Sequence, residues 1–304
     1  LSGEPLNGHD FRVGVALPRS LAIITTAIAA VAAAVAFAIS GSAHATGFTQ
    51  TYLQLNMCGN ACNHGGFAVT DNIEATVGER TPTLVTLNEV CENQYDRLQA
   101  DLTAYRARFD PTGPTCQDGA RYGNALFART TDLTFIGSWL LPNPAEDEAR
   151  RLMCLHMRVP GQPAVVVCVT HISSFLANVG PQVSAAAGIL NGLDTTDPVL
   201  LAGDFNTDPG DARMNPLYNS CYAGGIGHFR EADSTGCARR SALDQTNGTD
   251  VFNQETFPRH KYDDIFLVDG GWCAVRADVI DAAGGLSDHH AEFATATLAG
   301  SPVI

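Results

Sequence analysis

The sequence predicts an α/β domain in which mixed β-sheets are covered by helices, and three observations predict it. The stretch Val199 to Ala202 is apolar without a polar break, as in a strand buried on both faces, and it stops at Gly203, Asp204 and Asn206. The runs Leu152 to Val159 and Ala164 to Thr170 flank Pro160-Gly161 and read as an antiparallel hairpin. Helical and strand patterns alternate along the remainder, and because some strands are hairpin-connected the pattern points to mixed sheets rather than a purely parallel one.

Taken in order, the chain opens with Arg12 and Arg19 ahead of an alanine-rich apolar run, Leu21 to Ile39, followed by Ala43-His44-Ala45. That pattern of charge, apolar core and small-x-small box predicts a secretory signal peptide over 1–45 and a single catalytic-size domain over 46–304. The alternative is a membrane anchor through residues 21–39. Thr51 to Asn56 alternates as a strand, Phe67 to Val77 suits a helix, and Pro82 to Leu87 is a second strand ending at Asn88-Glu89. Gln94 to Thr103 is helical in pattern, and strands are expected at Gly123 to Ala128 and Leu133 to Trp139 before the hairpin. A helix from Pro181 to Leu193 leads into the Val199 strand, and a short helical piece follows near Ala212 to Tyr218. The last strands are Asp264 to Val268, Cys273 to Asp281 and Ala291 to Leu298.

Charge narrows the function classes. Lys and Arg total 18 against 32 Asp and Glu, a net charge of −14, which excludes a basic nucleic-acid glove but not an enzyme whose cation supplies local positive field. Lys261 is the single lysine. The 9 cysteines of an exported chain predict disulfides, with an odd thiol left over. Cys221 and Cys237 bracket a glycine-rich loop and are the first expected pair, worth about 3 kcal/mol by loop closure. Cys154 and Cys168 stand symmetrically about Gly161, and whether they face each other depends on a one-residue register. Cys58 and Cys62 beside His64 carry a minor zinc alternative.

Polar residues gather where the expected strands end: Asn56, Glu89, His171, Asp204 with Asn206, and Asp288-His289. Each alone has an ordinary explanation as a turn cap or a solvated charge. Their recurrence at strand ends predicts one shared pocket, because α/β sheets place their sites in the loops beyond those ends.

In order, the chain carries LQLNMCG with Asn56, TLNEV with Glu89, RYGNALFA with Asn124, VTHIS with His171, GDFNTD with Asp204 and Asn206, YDDIFL with Asp263, and LSDHHAEFA with Asp288 and His289. This series resembles the endonuclease/exonuclease/phosphatase superfamily over nearly the whole domain. The resemblance implies a four-layer α-β-β-α sandwich of two packed mixed β-sheets flanked by helices, and metal-dependent hydrolysis of phosphate esters. It implies Glu89, with Asn56 and Asp288, as ligands of Mg2+, with Mn2+ as the other cation expected to serve. Asp204, fixed by Asn206, would orient and deprotonate the attacking water. His171 and His289 would stabilise the non-bridging oxygens, Asp263 would orient His289, and Asn124, Asn206 and His171 would cradle the phosphate. Two positions depart from the common pattern: Asn88 precedes Glu89, and Asp264 stands where many members have an aromatic residue. The expectation is a secreted, monomeric phosphodiesterase acting on extracellular nucleic acid, without stable membrane insertion once the leader is removed. The alternative is a sphingomyelinase-like or inositol-phosphatase-like esterase. A binding module that had lost catalysis would show a substitution among Asp204, His171 and His289, and none is present.

Overall fold

The computed structural model describes residues 47–144, 148–193, 195–234, 240, 256–257 and 260–299. The expected leader, 1–45, and Cys237 lie outside them. The chain divides into Leu1–Ala43 and His44–Ile304, and every described residue belongs to the second unit.

In chain order the elements are β1 (Phe48–Asn56), α1 (Ala68–Arg80), β2 (Leu84–Cys91), α2 (Glu92–Asp101), β3 (Arg106–Pro111), β4 (Tyr122–Ala128) and β5 (Asp132–Leu140). There follow β6 (Arg151–Arg158), β7 (Ala164–His171), α3 (Leu176–Asn191), β8 (Val199–Asp204), β9 (Phe229–Glu231), β10 (Asp263–Val268), β11 (Trp272–Ile280) and β12 (Ala291–Leu298). One six-stranded sheet has the order β11-β12-β1-β2-β4-β3 and the other β5-β6-β7-β8-β10-β9. Both are mixed, with β1–β2 and β7–β8 parallel and their other neighbours antiparallel.

Alternation along the strands builds the layers. In β1, Tyr52 joins Leu84, Leu126, Met153, Val167, Leu200 and Ile265 between the sheets, while Leu53 and Leu55 turn outward. Outside the first sheet, α1 presents Val69, Ile73 and Val77, one every fourth residue, and α2 adds Leu98. Outside the second, α3 lays Val179, Val183 and Leu190 over Val166, Leu201 and Phe266. The result is the expected four-layer sandwich. The unbroken apolar run of β8 is explained by burial on both faces, where each Leu or Val contributes about 1.5–3 kcal/mol.

Several sequence expectations need adjusting. α3 begins at Leu176 rather than Pro181, because the proline removes a single N–H bond while buried Asn178 and Val179 hold the preceding turn. The helical piece expected over 212–218 is a single 3-10 turn, Ala212–Met214. Strands β3 and β9 were not anticipated. Cys154 and Cys168 are direct register partners and form a disulfide, which answers the register question. Cys58–Cys62 and Cys91–Cys116 are also bonded, so the zinc alternative at Cys58 and Cys62 is overturned: both sulfurs are consumed. Cys221 is disulfide-bonded, and its expected partner Cys237 lies outside the described residues. Cys273 is free and exposed.

Candidate active site

Strand register assembles the site. His171, Asp204 and Asp263 are direct partners on β7, β8 and β10, and Asn56 and Asn88 are partners on β1 and β2. Strands from both sheets therefore end at one place. Gly203 is required there by close approach, since a Cβ on it would lie 2.0 Å from the carbonyl oxygen of Thr170 on β7. Glu89 sits where the β2–β4 register shifts, with φ of 58°, and Asn206 has φ of 49°. A bulge and a left-handed residue re-aim side chains that a regular strand would alternate away, at a cost in backbone energy that clusters at working sites.

Asp204 is the centre of the constellation and is 1% exposed. Its Oδ2 accepts a hydrogen bond from Asn56 Nδ2 at 2.9 Å and its Oδ1 accepts one from the Asn206 backbone N–H at 2.8 Å. Nε2 of His171 and Nε2 of His289 stand 3.5 and 3.7 Å from the same Oδ2. Burial raises the Asp204 acid to about 7, with Asp263 adding to the shift and His289 and the two hydrogen bonds opposing it. A carboxylate poised there is a competent base near neutral pH.

The two histidines are in opposite states. Burial disfavours charge on His289, yet Asp263, 2.6 Å from its Nδ1, together with Asp204 and Asp288 raises it to about 10, so it is an imidazolium. Burial, with Arg150 and His289 nearby, holds His171 well below its ordinary value, so it is neutral. Asn206 Nδ2 donates to Ile172 O at 2.9 Å and faces His171 Nε2 at 3.2 Å, which makes Nε2 an acceptor and leaves the proton on Nδ1. That Nδ1 points toward Glu148 Oε1 at 3.6 Å, beyond hydrogen-bonding range.

Asn88 and Gln54 tie the groups together. Asn88 donates to Asn124 Oδ1 at 2.8 Å and to Thr170 O at 3.0 Å, and its own oxygen accepts from Asp204 N at 3.0 Å and from Gln54 Nε2 at 2.7 Å. Asp263 Oδ1 accepts from Gln54 Nε2 at 3.2 Å and from Asn56 N at 3.1 Å. Sequence reasoning missed both amides as site residues, although Asn88 was visible as a departure from the family pattern. It also missed Tyr122 and Glu148: Tyr122 is buried beside Glu89 and Glu148, which contribute to raising its hydroxyl well above the ordinary value after burial itself. Nothing local in the sequence marks Glu148, which arrives from a loop.

Of the expected metal ligands, Glu89 and Asn56 come together, with Asn56 Nδ2 3.0 Å from Glu89 Oε1. Asp288 is exposed, its carboxylate 3.7 Å from Cys62 Sγ, and among the described residues no hydrogen bond links it to Glu89 or Asn56. Its neighbour Ser287 does bond Asn56 O at 2.7 Å, so the two loops adjoin. Asn56 meets Glu89 through its amide N–H, its Oδ1 accepting from Cys58 N at 3.0 Å, and Tyr122 adds a phenol beside it, so Glu89 brings the carboxylate oxygens that suit a hard divalent cation.

The model of the Endonuclease/Exonuclease/phosphatase family matches residues 53–289. The chain belongs to that family. Among solved structures, the family protein of Bacteroides vulgatus superposes with a TM-score of 0.61 at 17% identity, covering 83% of this chain and 99% of that one. The human Nocturnin catalytic domain, with bound sulfate anion, also gives 0.61 at 17%, covering 82% and 94%. D. rerio TDP2 complexed with single strand DNA product gives 0.59 at 17%, covering 82% and 98%. No curated protein matches the chain in sequence. Family membership makes the chain a phosphoester hydrolase of the nuclease/phosphatase type, in a family that generally uses divalent metal ions and acts on phosphate esters. Among the described residues, no helix is long and apolar enough to cross a membrane.

Proposed function

We propose that the protein is an exported, Mg2+-dependent phosphodiesterase that cleaves nucleic acid by in-line attack of a water oriented by Asp204. The observation that carries this reading is Asp204 itself, a buried carboxylate raised to about 7 and held by Asn56 and Asn206 between two histidines. Asp204 takes the water proton. Asn206 fixes both the carboxylate and His171, and the His289 imidazolium, oriented by Asp263, offsets negative charge on the phosphoryl oxygens as it grows. Asn124, anchored by Asn88, would complete the phosphate cradle.

Glu89, with Asn56 and with Asp288 approaching from its loop, would hold the divalent ion, and the ion would supply Lewis-acid stabilisation to the ester oxygens. Three disulfides among the described residues support an oxidising, extracellular compartment. The single strand DNA product held by D. rerio TDP2 supports nucleic acid as the substrate class.

The test is a panel assay with Mg2+ or Mn2+ on plasmid DNA, RNA, sphingomyelin and inositol phosphates, repeated in excess chelator. Hydrolysis of DNA or RNA that stops in chelator is expected. Hydrolysis confined to the lipid or the inositol phosphates would replace the substrate, and full activity in chelator would remove the metal.

A further inference from the structure

Away from the catalytic pocket, the open edge of each sheet faces the other. β3 is the edge of the first sheet and β5 the edge of the second. They meet through Ser138 Oγ, which donates to Asp110 Oδ2 at 2.6 Å, and through the Arg108 guanidinium, 4.1 Å from the centre of the Phe135 ring. Between them runs a groove of about 520 Å³ whose lining includes Arg106, Arg108, Thr103, Thr131, Leu133 and Phe135.

The charge of this groove runs against that of the molecule. In a chain of net charge −14, Arg106 and Arg108 stand two residues apart on the exposed side of β3, and among the described residues neither makes an ion pair with a carboxylate. Among the described residues Arg97, Arg121, Arg150, Arg151, Arg158 and Arg213 have acidic partners within 4 Å. Phe135 is 42% exposed, with the Arg108 guanidinium over one face of its ring, which leaves the other face for a base. Unpaired cations alternating with an exposed aromatic ring are what an extended single strand needs, its phosphates on the cations and a base on the ring.

Register gives the groove a direction. Asn124, in the catalytic pocket, is the partner of Asp110, then Leu126 of Arg108 and Ala128 of Arg106. Each two-residue step is about 7 Å along a strand. Arg108 and Arg106 therefore follow the pocket at about 7 and 14 Å, a few nucleotides of chain. At the near end the buried Asp110 accepts from Ser138 Oγ and pairs with Arg151 at 3.4 Å, so Arg151 is neutralised there and the free cations of the seam among the described residues are Arg108 and Arg106.

We infer that the β3–β5 seam is a secondary binding track for single-stranded nucleic acid, taking the part of the strand that extends beyond the scissile phosphate. The inference rests on the nucleic-acid reading above and deepens it by naming a strand form and a path.

The experiment is fluorescence anisotropy of the full protein with labelled oligothymidylates of two and of twenty nucleotides, in chelator and over a range of salt. The variants are Arg106→Gln/Arg108→Gln and Phe135→Leu. For the longer probe, the double variant is expected to lower the slope of log affinity against log salt by about 1.4, two phosphate contacts at about 0.7 each. Phe135→Leu is expected to weaken the longer probe by roughly tenfold with the slope kept, since stacking is not a counter-ion effect. Both variants should leave hydrolysis of bis(p-nitrophenyl) phosphate unchanged, because that ester is too short to reach the seam. An unchanged slope in the double variant, or equal losses on the short and long probes, would overturn the track. Loss of heparin binding without loss of the longer probe would also overturn it, as a general polyanion surface. The nucleic-acid reading fails separately, by absence of any DNA or RNA hydrolysis in the wild-type protein with Mg2+.

Discussion

Nδ1 of His289 lies 2.6 Å from Asp263 Oδ2, and this contact crosses between the two sheets, since Asp263 opens β10 while His289 precedes β12. The carboxylate fixes the ring and keeps its charge, so it acts on the reaction through His289. Asp263→Asn retains hydrogen-bonding shape but removes the counter-charge. Its turnover number is expected to fall by roughly 10² with little change in KM, because stabilisation of developing charge appears in the rate. Steady-state kinetics on the substrate found by panel assay checks this, and a change confined to KM would assign Asp263 to binding.

Asp204→Asn should lower turnover by roughly 10² or more while substrate binding survives, since the amide keeps the side-chain shape but cannot take a proton. His171→Ala and His289→Ala should also lose turnover rather than affinity. Both rings stand within 4 Å of one carboxylate oxygen, so their losses should not multiply in the double variant. A double loss equal to the product of the single losses would place the two histidines in independent steps.

Glu89→Gln should abolish saturable Mg2+ binding by calorimetry and most activity, with the thermal midpoint little changed, because Glu89 is half-buried at a bulge and supports no apolar core. Mg2+ binding of wild-type strength in this variant would move the metal elsewhere.

The strand ends were legible because polar residues interrupting apolar runs are a local signal, and β8 with its Gly203-Asp204 stop is the clearest case. The register that brings His171, Asp204 and Asp263 abreast was not legible, since a one-residue slip leaves the local pattern almost intact. β9 has three residues and exists through pairing with β10, too short for any periodicity. β3 does alternate, Arg106 and Arg108 on its exposed side and Ala107 and Phe109 packed on the other, but two apolar residues are too short a pattern to mark a strand. The departures at Asn88 and Asp264 were visible as letters, and only the structure supplies their reasons: Asn88 joins Gln54, Asn124 and Asp204, and Asp264 meets a lysine.

That lysine carries the last prediction. Lys261 is fully buried, with Nζ 2.7 Å from Glu231, 2.5 Å from Asp264, 3.3 Å from Glu292 and 3.9 Å from Asp233. One cation thus serves four carboxylates contributed by both sheets. They cannot all be ionised cheaply, and burial, with Asp233 and Glu231 adding to it and Lys261 opposing, raises Glu292 from 4.5 to about 8. Asp264 is raised well above its ordinary value for the same first reason, and among the described residues Oδ2 of Asp264 and Oε1 of Glu292 have no hydrogen-bond partner. A carboxyl whose folded value exceeds its unfolded one stabilises the fold fully below the unfolded value, and that contribution is lost as pH rises through the folded one. For Glu292 the loss runs from about pH 4.5 to about pH 8. Glu292→Gln imitates the protonated form and can still accept from Lys261 and from Ile265 N. Its thermal midpoint is therefore expected to fall less than that of the wild type across this window, so that the variant gains on the wild type as pH rises. Lys261→Met should instead cost roughly 3–5 kcal/mol near neutral pH, because it leaves buried carboxylates without their cation. Thermal melts from pH 5 to 9 check both, and a wild-type curve parallel to that of Glu292→Gln would show that Glu292 is already ionised in the fold.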